Sequence, residues 1–274
     1  MSPAEPAEIK ALTREILAGK KYREVELPEN TVRDLLEKEL PLHRQPKEAV
    51  KVVKKKLHHI IAPYLGDPDY PVAAQALDAA FDRGEPEGIR EACAAIMASH
   101  ASTRERLPYL ESFYHELVAV TGKPSSILDL ACGLNPFALP WMGLPVATHY
   151  FAYDLNLPRI RLINQFFTRM GMSPGGYAQD ILLSPPTQFA DVAFFFKEAH
   201  RFDQRQRGCN RPFWQAIRAR WLLVSLPTSS LSGKHDLLQR QRRLVEETVQ
   251  GLPWEIKEVQ IDKELVFCID KGVL

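Results

Sequence analysis

Hydrophobic and polar positions follow two different patterns along this chain. Up to about residue 100, apolar residues recur every three or four positions, a spacing typical of amphipathic helices. The helices predicted there span 8–18, 30–40, 46–65, 71–83 and 86–98. Beyond residue 123, short apolar runs of strand length alternate with helical segments, which predicts a parallel sheet covered on both faces.

The second pattern places seven strands in the C-terminal part. The predicted strands are 125–130, 148–154, 177–181, 190–196, 221–227, 254–261 and 264–270. The connecting helices are predicted at 157–170 and 235–250, and the arginine-rich segment 198–218 is predicted to be helix or loop. Only two residues separate the last two strands, so they are expected to form an antiparallel hairpin.

The junction between the two patterns contains helix signals. Ser102 and Glu105 have the spacing of a capping box, which would start a helix. Pro108 follows too closely for that helix to continue, so a break is expected there. A new apolar helix face then runs from Leu110 to Gly122.

Composition excludes several classes of protein. Of the 274 residues, 45% are hydrophobic and 25% charged, as in soluble globular proteins, and no apolar run has the length of a membrane span. The polar, acidic N-terminus does not have the pattern of a secretory signal. The four cysteines are scattered, which argues against a metal site or a disulfide framework and predicts a cytoplasmic protein.

The first strand leads into a glycine turn, the arrangement that cradles nucleotides. Gly133 follows the strand, and Asp154 ends the next strand 21 positions later, where an acid can bind ribose hydroxyls. Asp180 ends the third predicted strand. Neither GxGxxG nor a Walker A motif is present, so an adenosine ligand without a pyrophosphate, S-adenosylmethionine, fits best. An ordinary strand-to-helix turn is the alternative for Gly133 alone.

Three segments carry a resemblance to a known family: His100–Leu107, Ile127–Met142 and Val224–Thr228. Together they closely resemble the 16S rRNA guanine-N7 methyltransferases that confer aminoglycoside resistance, and the likeness extends over essentially the whole chain. The run from Gly133 to Met142 is especially specific, because prolines at 136 and 140 are unusual so soon after a cofactor turn.

The resemblance implies a class I S-adenosylmethionine-dependent methyltransferase. Its fold would be Rossmann-like, with a seven-stranded sheet whose last strand is antiparallel, preceded by an all-helical N-terminal domain. We place the rRNA-docking domain at 1–101 and the methyltransferase domain at 102–274. The implied reaction methylates N7 of guanine 1405 in 16S rRNA of the assembled 30S subunit, by a monomer without membrane contact.

The resemblance also implies cofactor-binding residues. They are Arg104 for the cofactor carboxylate, Ala131, Gly133 and Asn135 for the methionine part, Asp154 for the ribose, Asp180 and Ile181 for the adenine, and Leu155 as a further cofactor contact. A surface ion pair is the alternative for Arg104, and Arg106 is a weaker candidate for the same role. Asp129 lies inside the first strand, where it is expected only to orient the turn.

Guanine N7 carries an unshared electron pair, so the implied reaction needs no obligatory general base. The sequence accordingly offers positioning candidates, Phe196 and Lys197, rather than a catalytic set. Phe195, Phe196 and Trp141 are candidates for stacking on a flipped guanine, although strand aromatics more commonly belong to the core.

Two basic segments are candidates for rRNA binding in a chain whose net charge is only +1. Residues 44–61 contain six Lys or Arg and one acid, and residues 201–220 contain six Arg and one Asp. The predicted RNA-binding residues are Arg44, Lys47, Lys51, Lys54, Lys55, Arg201, Arg205, Arg207, Arg211 and Lys234. Solvated helix faces are the alternative.

Three other functions remain open at this point. One is methylation of N1 of adenine 1408 in 16S rRNA, and another is a non-catalytic ribosome-binding factor that keeps a methyltransferase fold. A small-molecule methyltransferase is the third, and the two basic segments argue against it.

Overall fold

The fold is that of a computed structural model, which describes residues 6–61, 66–227 and 237–272. Its helices are α1 (Pro6–Leu17), α2 (Lys20–Val25), α3 (Glu29–Glu39), α4 (Pro46–Ile61), α5 (Tyr70–Arg83), α6 (Pro86–Ala98), α7 (Ala101–Arg104), α8 (Leu110–Thr121), α9 (Leu139–Met142), α10 (Leu157–Arg169), α11 (Ala199–Arg205), α12 (Asn210–Ala216) and α13 (Leu238–Val249). Its strands are β1 (Ser126–Leu130), β2 (His149–Asp154), β3 (Gly176–Ala178), β4 (Ala190–Phe196), β5 (Ala219–Pro227), β6 (Glu255–Ile261) and β7 (Glu264–Asp270).

The seven strands form one sheet in the order β3-β2-β1-β4-β5-β7-β6. Neighbours among β1 to β5 are parallel, whereas β7 runs antiparallel to both β5 and β6. The predicted α/β class, the final hairpin and the antiparallel last strand are confirmed. The strand order reverses between β1 and β4, which is where open α/β sheets bind ligands.

The five predicted N-terminal helices are also confirmed, apart from the end of the third, which falls in 62–65 outside the described residues. Helices α1, α3 and α4 surround a small core of their own that includes Val32, Leu36, Val53 and Leu57. Helices α5 and α6 belong instead to the core that covers one face of the sheet. The hydrophobic cores therefore separate between α4 and α5, and the domain boundary at 101–102 stays a prediction.

Two details of the predicted elements are wrong, and a third is confirmed. The third strand ends at Ala178, so Asp180 lies in the following turn rather than in the strand. The capping box is absent, because Ser102 contacts the His100 ring and Glu105 accepts a bond from Lys197. The break at Pro108 is confirmed by a 3-10 turn over Leu107–Tyr109.

No helix in the described parts of the chain has the length and apolar character needed to cross a lipid bilayer.

Candidate cofactor site

A cavity of about 560 Å³ opens at the carboxyl ends of the parallel strands, and its size is typical of small-molecule sites. The strands and turns contribute Ala131, Tyr153, Asp154, Leu155, Gln179, Asp180, Ile181 and Glu198. Helix α11 contributes His200, Arg201, Phe202, Gln204 and Arg205. The helices around the N-terminal core, α1, α3 and α4, are called the helical front, and it contributes Leu35, Lys56, His59 and Ile60. The cavity therefore lies at the reversal of strand order, between the sheet and the N-terminal helices.

The turn after β1 adopts backbone conformations that bring main chain close to the cavity. Gly133 has φ +54°, and Ala131 has φ +52°, a left-handed conformation that residues with a Cβ rarely adopt. The Gly133 N–H donates to Asp154 Oδ2 at 2.9 Å, which ties the turn to the end of β2. A 3-10 turn over Asn135–Ala138 and the one-turn helix α9 follow, because Pro136 and Pro140 remove backbone donors there.

Asp154 keeps part of its hydrogen-bonding capacity for a ligand. Its Oδ2 accepts from Gly133 N and from Arg159 Nη1, and its Oδ1 accepts from Asn156 N, each at 2.9 Å. A carboxylate has about four acceptor positions, so one remains on Oδ1. Arg159, which is 0% exposed, also donates to Asp67 and thereby joins Asp154 to the segment before α5.

Asp180 is committed to protein partners instead. Arg205 donates to both carboxylate oxygens, while Leu182 N donates to Oδ1 and Thr31 Oγ1 donates to Oδ2. These four bonds fill about as many positions as a carboxylate offers. The Asp180 side chain therefore connects α3, α11 and the turn after β3, and its contact with adenine stays a prediction.

The helical front forms one wall of the cavity, which the sequence pattern did not indicate. Leu35 reaches the cavity from α3, and Lys56, His59 and Ile60 reach it from α4. Thr31 holds α3 through Asp180, and Arg201 Nη2 donates to the His59 carbonyl at 3.3 Å. These contacts join residues more than 140 positions apart, so no local signal could have shown them.

A network of buried polar side chains binds to the turn that follows β1. Arg106 is 2% exposed and lies between the Phe113 and Phe196 rings, with its guanidinium carbon 4.2 and 4.8 Å from their centroids. It donates to both Glu264 oxygens and to Asn135 Oδ1. Although it is buried, the pKa of Glu264 is lowered by the charge of Arg106.

The same network continues into β1. The Asn135 amide donates to Asp129 Oδ2 at 2.9 Å, and the Tyr150 hydroxyl donates to the same oxygen at 2.7 Å. Burial raises the pKa of Asp129 to about 7. Asp129 orients the turn through Asn135, which is the role expected for it.

The structure places the eight predicted cofactor residues in two groups. Those that line the cavity are Ala131, Asp154, Leu155, Asp180 and Ile181. Outside the lining, Gly133 binds Asp154, Asn135 faces the buried network, and the exposed Arg104 donates to the Ala98 carbonyl. Their cofactor contacts all stay predictions.

The positioning candidates lie beside the buried network rather than in the cavity lining. Lys197 has φ +61° and donates to Glu105 Oε2 at 2.9 Å and to the Ser102 carbonyl at 3.2 Å. Phe196 is stacked on Phe194. Phe195 is 0% exposed and packs on Phe202 and Phe213, so the core alternative is confirmed for it.

Sequence reasoning missed Glu198, which lines the cavity two residues beyond β4. Burial raises the pKa of its carboxyl group to about 7, against the opposing effect of Arg201. The signal that pointed to Asp154, an acid at a strand end, was present here as well.

The two basic segments differ in how the protein uses them. In α4 and just before it, Arg44, Lys47, Lys51, Lys54 and Lys55 are exposed, and no ion pair engages them within the described residues. In the second segment Arg205 pairs with Asp180, Arg211 donates to two carbonyls at the end of α13, and Arg201 lies near Glu198. Arg207 is exposed, and Lys234 lies outside the described residues.

The cavity fits S-adenosylmethionine on three observations. Asp154 keeps an acceptor for a ribose hydroxyl, and apolar side chains of Leu155, Ile181 and Phe202 border the space beyond it. Ala131, whose backbone is left-handed, lines the cavity, and the adjoining turn at Gly133 is tied to Asp154.

Comparisons with known proteins identify the family of this chain. The family model described as "Ribosomal RNA methyltransferase (FmrO)" matches residues 18–268. A 16S rRNA (guanine(1405)-N(7))-methyltransferase of Micromonospora echinospora is 33% identical over 227 residues, which are 82% of this chain and 83% of that protein. A protein of the same name from Frankia casuarinae is 32% identical over 93% of this chain and 92% of its own length.

A solved structure of a 16S rRNA methyltransferase has the same fold. The 16S rRNA methyltransferase RmtF, in complex with S-adenosyl-L-homocysteine, superimposes with a TM-score of 0.79 at 27% identity, covering 98% of this chain and all of that one. The fold is thus that of an S-adenosylmethionine-dependent enzyme, and the sequence match extends through both the helical front and the sheet. The chain belongs to the FmrO family of ribosomal RNA methyltransferases.

Proposed function

We propose that this enzyme transfers a methyl group from S-adenosylmethionine to N7 of guanine 1405 in 16S rRNA of the assembled 30S subunit. The observation that carries the proposal is a cofactor cavity in a chain that matches guanine(1405)-N(7)-methyltransferases over most of its length. The enzyme acts as a monomer in the cytoplasm, where its ribosomal substrate is found. The product confers aminoglycoside resistance.

The chemistry requires positioning more than acid–base catalysis. S-adenosylmethionine supplies a methyl group bound to a positively charged sulfur. The N7 electron pair forms the new bond as the carbon–sulfur bond breaks, and no proton has to leave. Residues of this chain act by orientation: Asp154 holds the ribose, and the turn at Ala131 and Gly133 holds the methionine part. Effective transfer needs the two reacting atoms within about 3–3.5 Å.

The rRNA-docking surface of the proposal is the lysine stripe, defined as Lys47, Lys51, Lys54 and Lys55 on α4. These side chains are exposed, whereas Val50, Val53 and Leu57 fix the opposite side of α4 in the core of the helical front. Unpaired, exposed lysines are suited to phosphate contacts, because each releases counterions from RNA on binding. Arg44 and Arg207 extend this surface in the proposal.

The pattern of drug resistance tests the proposal in cells. Expression in a susceptible bacterium should give resistance to gentamicin and kanamycin while apramycin stays active, and an Asp154→Ala variant should give none. Apramycin resistance would indicate adenine 1408 instead and would overturn the choice of guanine 1405.

A further inference from the structure

Glu198 stands apart from the other carboxylates of the cavity. Asp180 accepts four hydrogen bonds from the protein and Asp154 accepts three. For the Glu198 side chain, the one ion pair among the described residues is with Arg201 Nε at 3.4 Å, and 23% of the side chain is exposed. Its carboxylate is therefore held in place by helix α11 without being saturated.

The position of Glu198 relative to the strands indicates which part of the cofactor it faces. Asp154 ends β2, Ile181 lies three residues after β3, and Glu198 lies two residues after β4, the strand that pairs with β1. If S-adenosylmethionine places its adenine at the end of β3 and its ribose at the end of β2, its sulfur lies near the ends of β1 and β4, the next strands in the sheet. Glu198 thus lies where the cofactor changes from a charged sulfonium to a neutral thioether.

We propose that Glu198 discriminates between S-adenosylmethionine and S-adenosylhomocysteine by pairing its carboxylate with the sulfonium charge. The substrate form of the cofactor carries that charge, and the product form does not. A carboxylate attracts a cation more strongly in a partly desolvated site than in bulk water. It makes no comparable contact with a neutral thioether. The residue would favour loading of the methyl donor and release of its product.

Titration of Glu198 gives the proposal a second readout. The pKa of its carboxyl group in the protein without ligand is about 7, so it carries a proton part of the time at neutral pH. A bound sulfonium favours the ionised form, so binding of S-adenosylmethionine should expel a proton and should tighten as pH rises from 6 to 8.

Other charged groups face the same cavity and could contribute to pH dependence. They are Lys56 and His59 from α4, Asp154 and Asp180 from the sheet, His200, Arg201 and Arg205 from α11, and Arg159 behind Asp154. Burial and the charge of Arg201 lower the pKa of His200 to about 4, so His200 is neutral in the range of interest. Subtracting the pH dependence of a Glu198→Gln variant from that of the wild type removes the contributions of all the groups that the variant retains.

Isothermal titration of the full chain with each of the two cofactor forms, at pH 6 and pH 8, tests the proposal. In the wild type the preference for S-adenosylmethionine should rise about fivefold between these pH values. Glu198→Gln should lose about tenfold of that preference at pH 8 and most of its pH dependence, because one pKa unit corresponds to tenfold in binding. Glu198→Asp should keep part of the preference, and Glu246→Gln, on the exposed side of α13, should match the wild type.

Each outcome is informative. An equal loss of affinity for both cofactor forms would show a structural role and overturn the proposal, as would a wild-type preference that does not change with pH. If Glu198→Gln does not fold, the pH dependence and proton release of the wild type still decide. The experiment contains no rRNA, so it is independent of the guanine 1405 assignment, whereas a wild type that binds neither form would refute the cofactor site itself.

Discussion

Carboxylates in and below the cavity differ in what the protein provides to neutralise them. Asp154 has Arg159, and Asp180 has Arg205, each through direct hydrogen bonds. Asp129 has only neutral donors, Asn135 and Tyr150, although it is 1% exposed. A buried charge without a paired cation is costly, so Asp129 should influence stability more than its neighbours do as pH changes.

Replacing Asp129 by Asn should make the protein relatively more stable at high pH. The folded-state pKa of Asp129 is about 7, and the unfolded value is about 3.9. Between these values the folded state holds a proton that the unfolded state has lost, so the wild type loses free energy of unfolding as pH rises through this window. The variant does not titrate there, and Asn can still accept from Asn135 and Tyr150.

Urea denaturation at pH 5 and pH 8 measures the effect. Relative to the wild type, Asp129→Asn should gain about 2.5 kcal/mol in free energy of unfolding between these pH values. The exposed substitution Glu246→Gln should show no such gain. A difference between Asp129→Asn and wild type that is the same at both pH values would mean that Asp129 is ionised throughout.

Several site residues were predictable from sequence because the rule involved is local. Asp154 and Asp180 follow short apolar runs, and the carboxyl ends of parallel strands meet at one edge of a sheet. Glu198 obeys the same rule and was overlooked.

The partner of each charged side chain was not predictable from sequence. Arg205 is predicted to bind RNA, yet it pairs with Asp180 because α11 packs against the turn after β3. Arg106, a weaker candidate for the cofactor carboxylate, is enclosed by two rings and paired with Glu264.

At the scale of elements, α3 and α4 connect the cofactor cavity to the exposed surface of the helical front. One side of this pair lines the cavity through Leu35, His59 and Ile60, and another side of α4 carries the lysine stripe. Their positions were not visible in the sequence. Helical periodicity predicted both α3 and α4, but periodicity does not specify which distant surface a helix packs against.

Thr31→Val tests whether α3 belongs energetically to the cofactor site. Thr31 is 0% exposed, and valine keeps its shape while removing the hydroxyl that donates to Asp180 Oδ2 at 2.9 Å. Loss of a hydrogen bond to a charged group costs about 1.5–3 kcal/mol. Part of this loss should weaken the attachment of α3 to the cavity wall at Asp180. Cofactor affinity should fall severalfold in titration calorimetry.

Thr121→Val is a matched control, since the hydrogen bonds that Thr121 makes within the described part of the chain go to the backbone around the end of α8, away from the cavity. Its cofactor affinity should equal that of the wild type. If Thr31→Val binds cofactor as tightly as the wild type, the helical front contributes shape to the cavity and no binding energy.

Charge reversal on the lysine stripe should separate RNA binding from cofactor binding. In Lys51→Glu with Lys55→Glu, methylation of 30S subunits should fall about a hundredfold, because phosphate contacts dominate affinity and like charges repel. Cofactor affinity should stay unchanged, since neither lysine lines the cavity. Filter-binding and methylation assays at two salt concentrations measure both effects.

The double variant Lys123→Glu with Lys257→Glu has the same change in net charge, and both residues are exposed elsewhere on the chain. It should methylate 30S subunits almost normally. Equal losses in the two double variants would show that net charge, and not the lysine stripe, governs docking.

At the scale of the whole molecule, a helical front with its own small core is fixed over a Rossmann-like sheet, and the cofactor cavity lies between them. Arg161 of α10 and Glu26 form a further bidentate contact across this junction. The lysine stripe proposed to bind rRNA lies on one side of the front and a wall of the cavity on another, so substrate docking and methyl transfer would share one structural unit. We therefore expect this unit to deliver the methyl group to a single ribosomal guanine.

Mapping the methylated nucleotide in 16S rRNA is the decisive test of this expectation. Purified enzyme is incubated with S-adenosylmethionine and 30S subunits, and the 16S rRNA is then reduced with borohydride, cleaved with aniline and read by primer extension. One new cleavage is expected, at guanine 1405, and it should be absent when naked 16S rRNA replaces the subunit and absent with Asp154→Ala. Methylation at another nucleotide, or equal methylation of naked 16S rRNA, would contradict it.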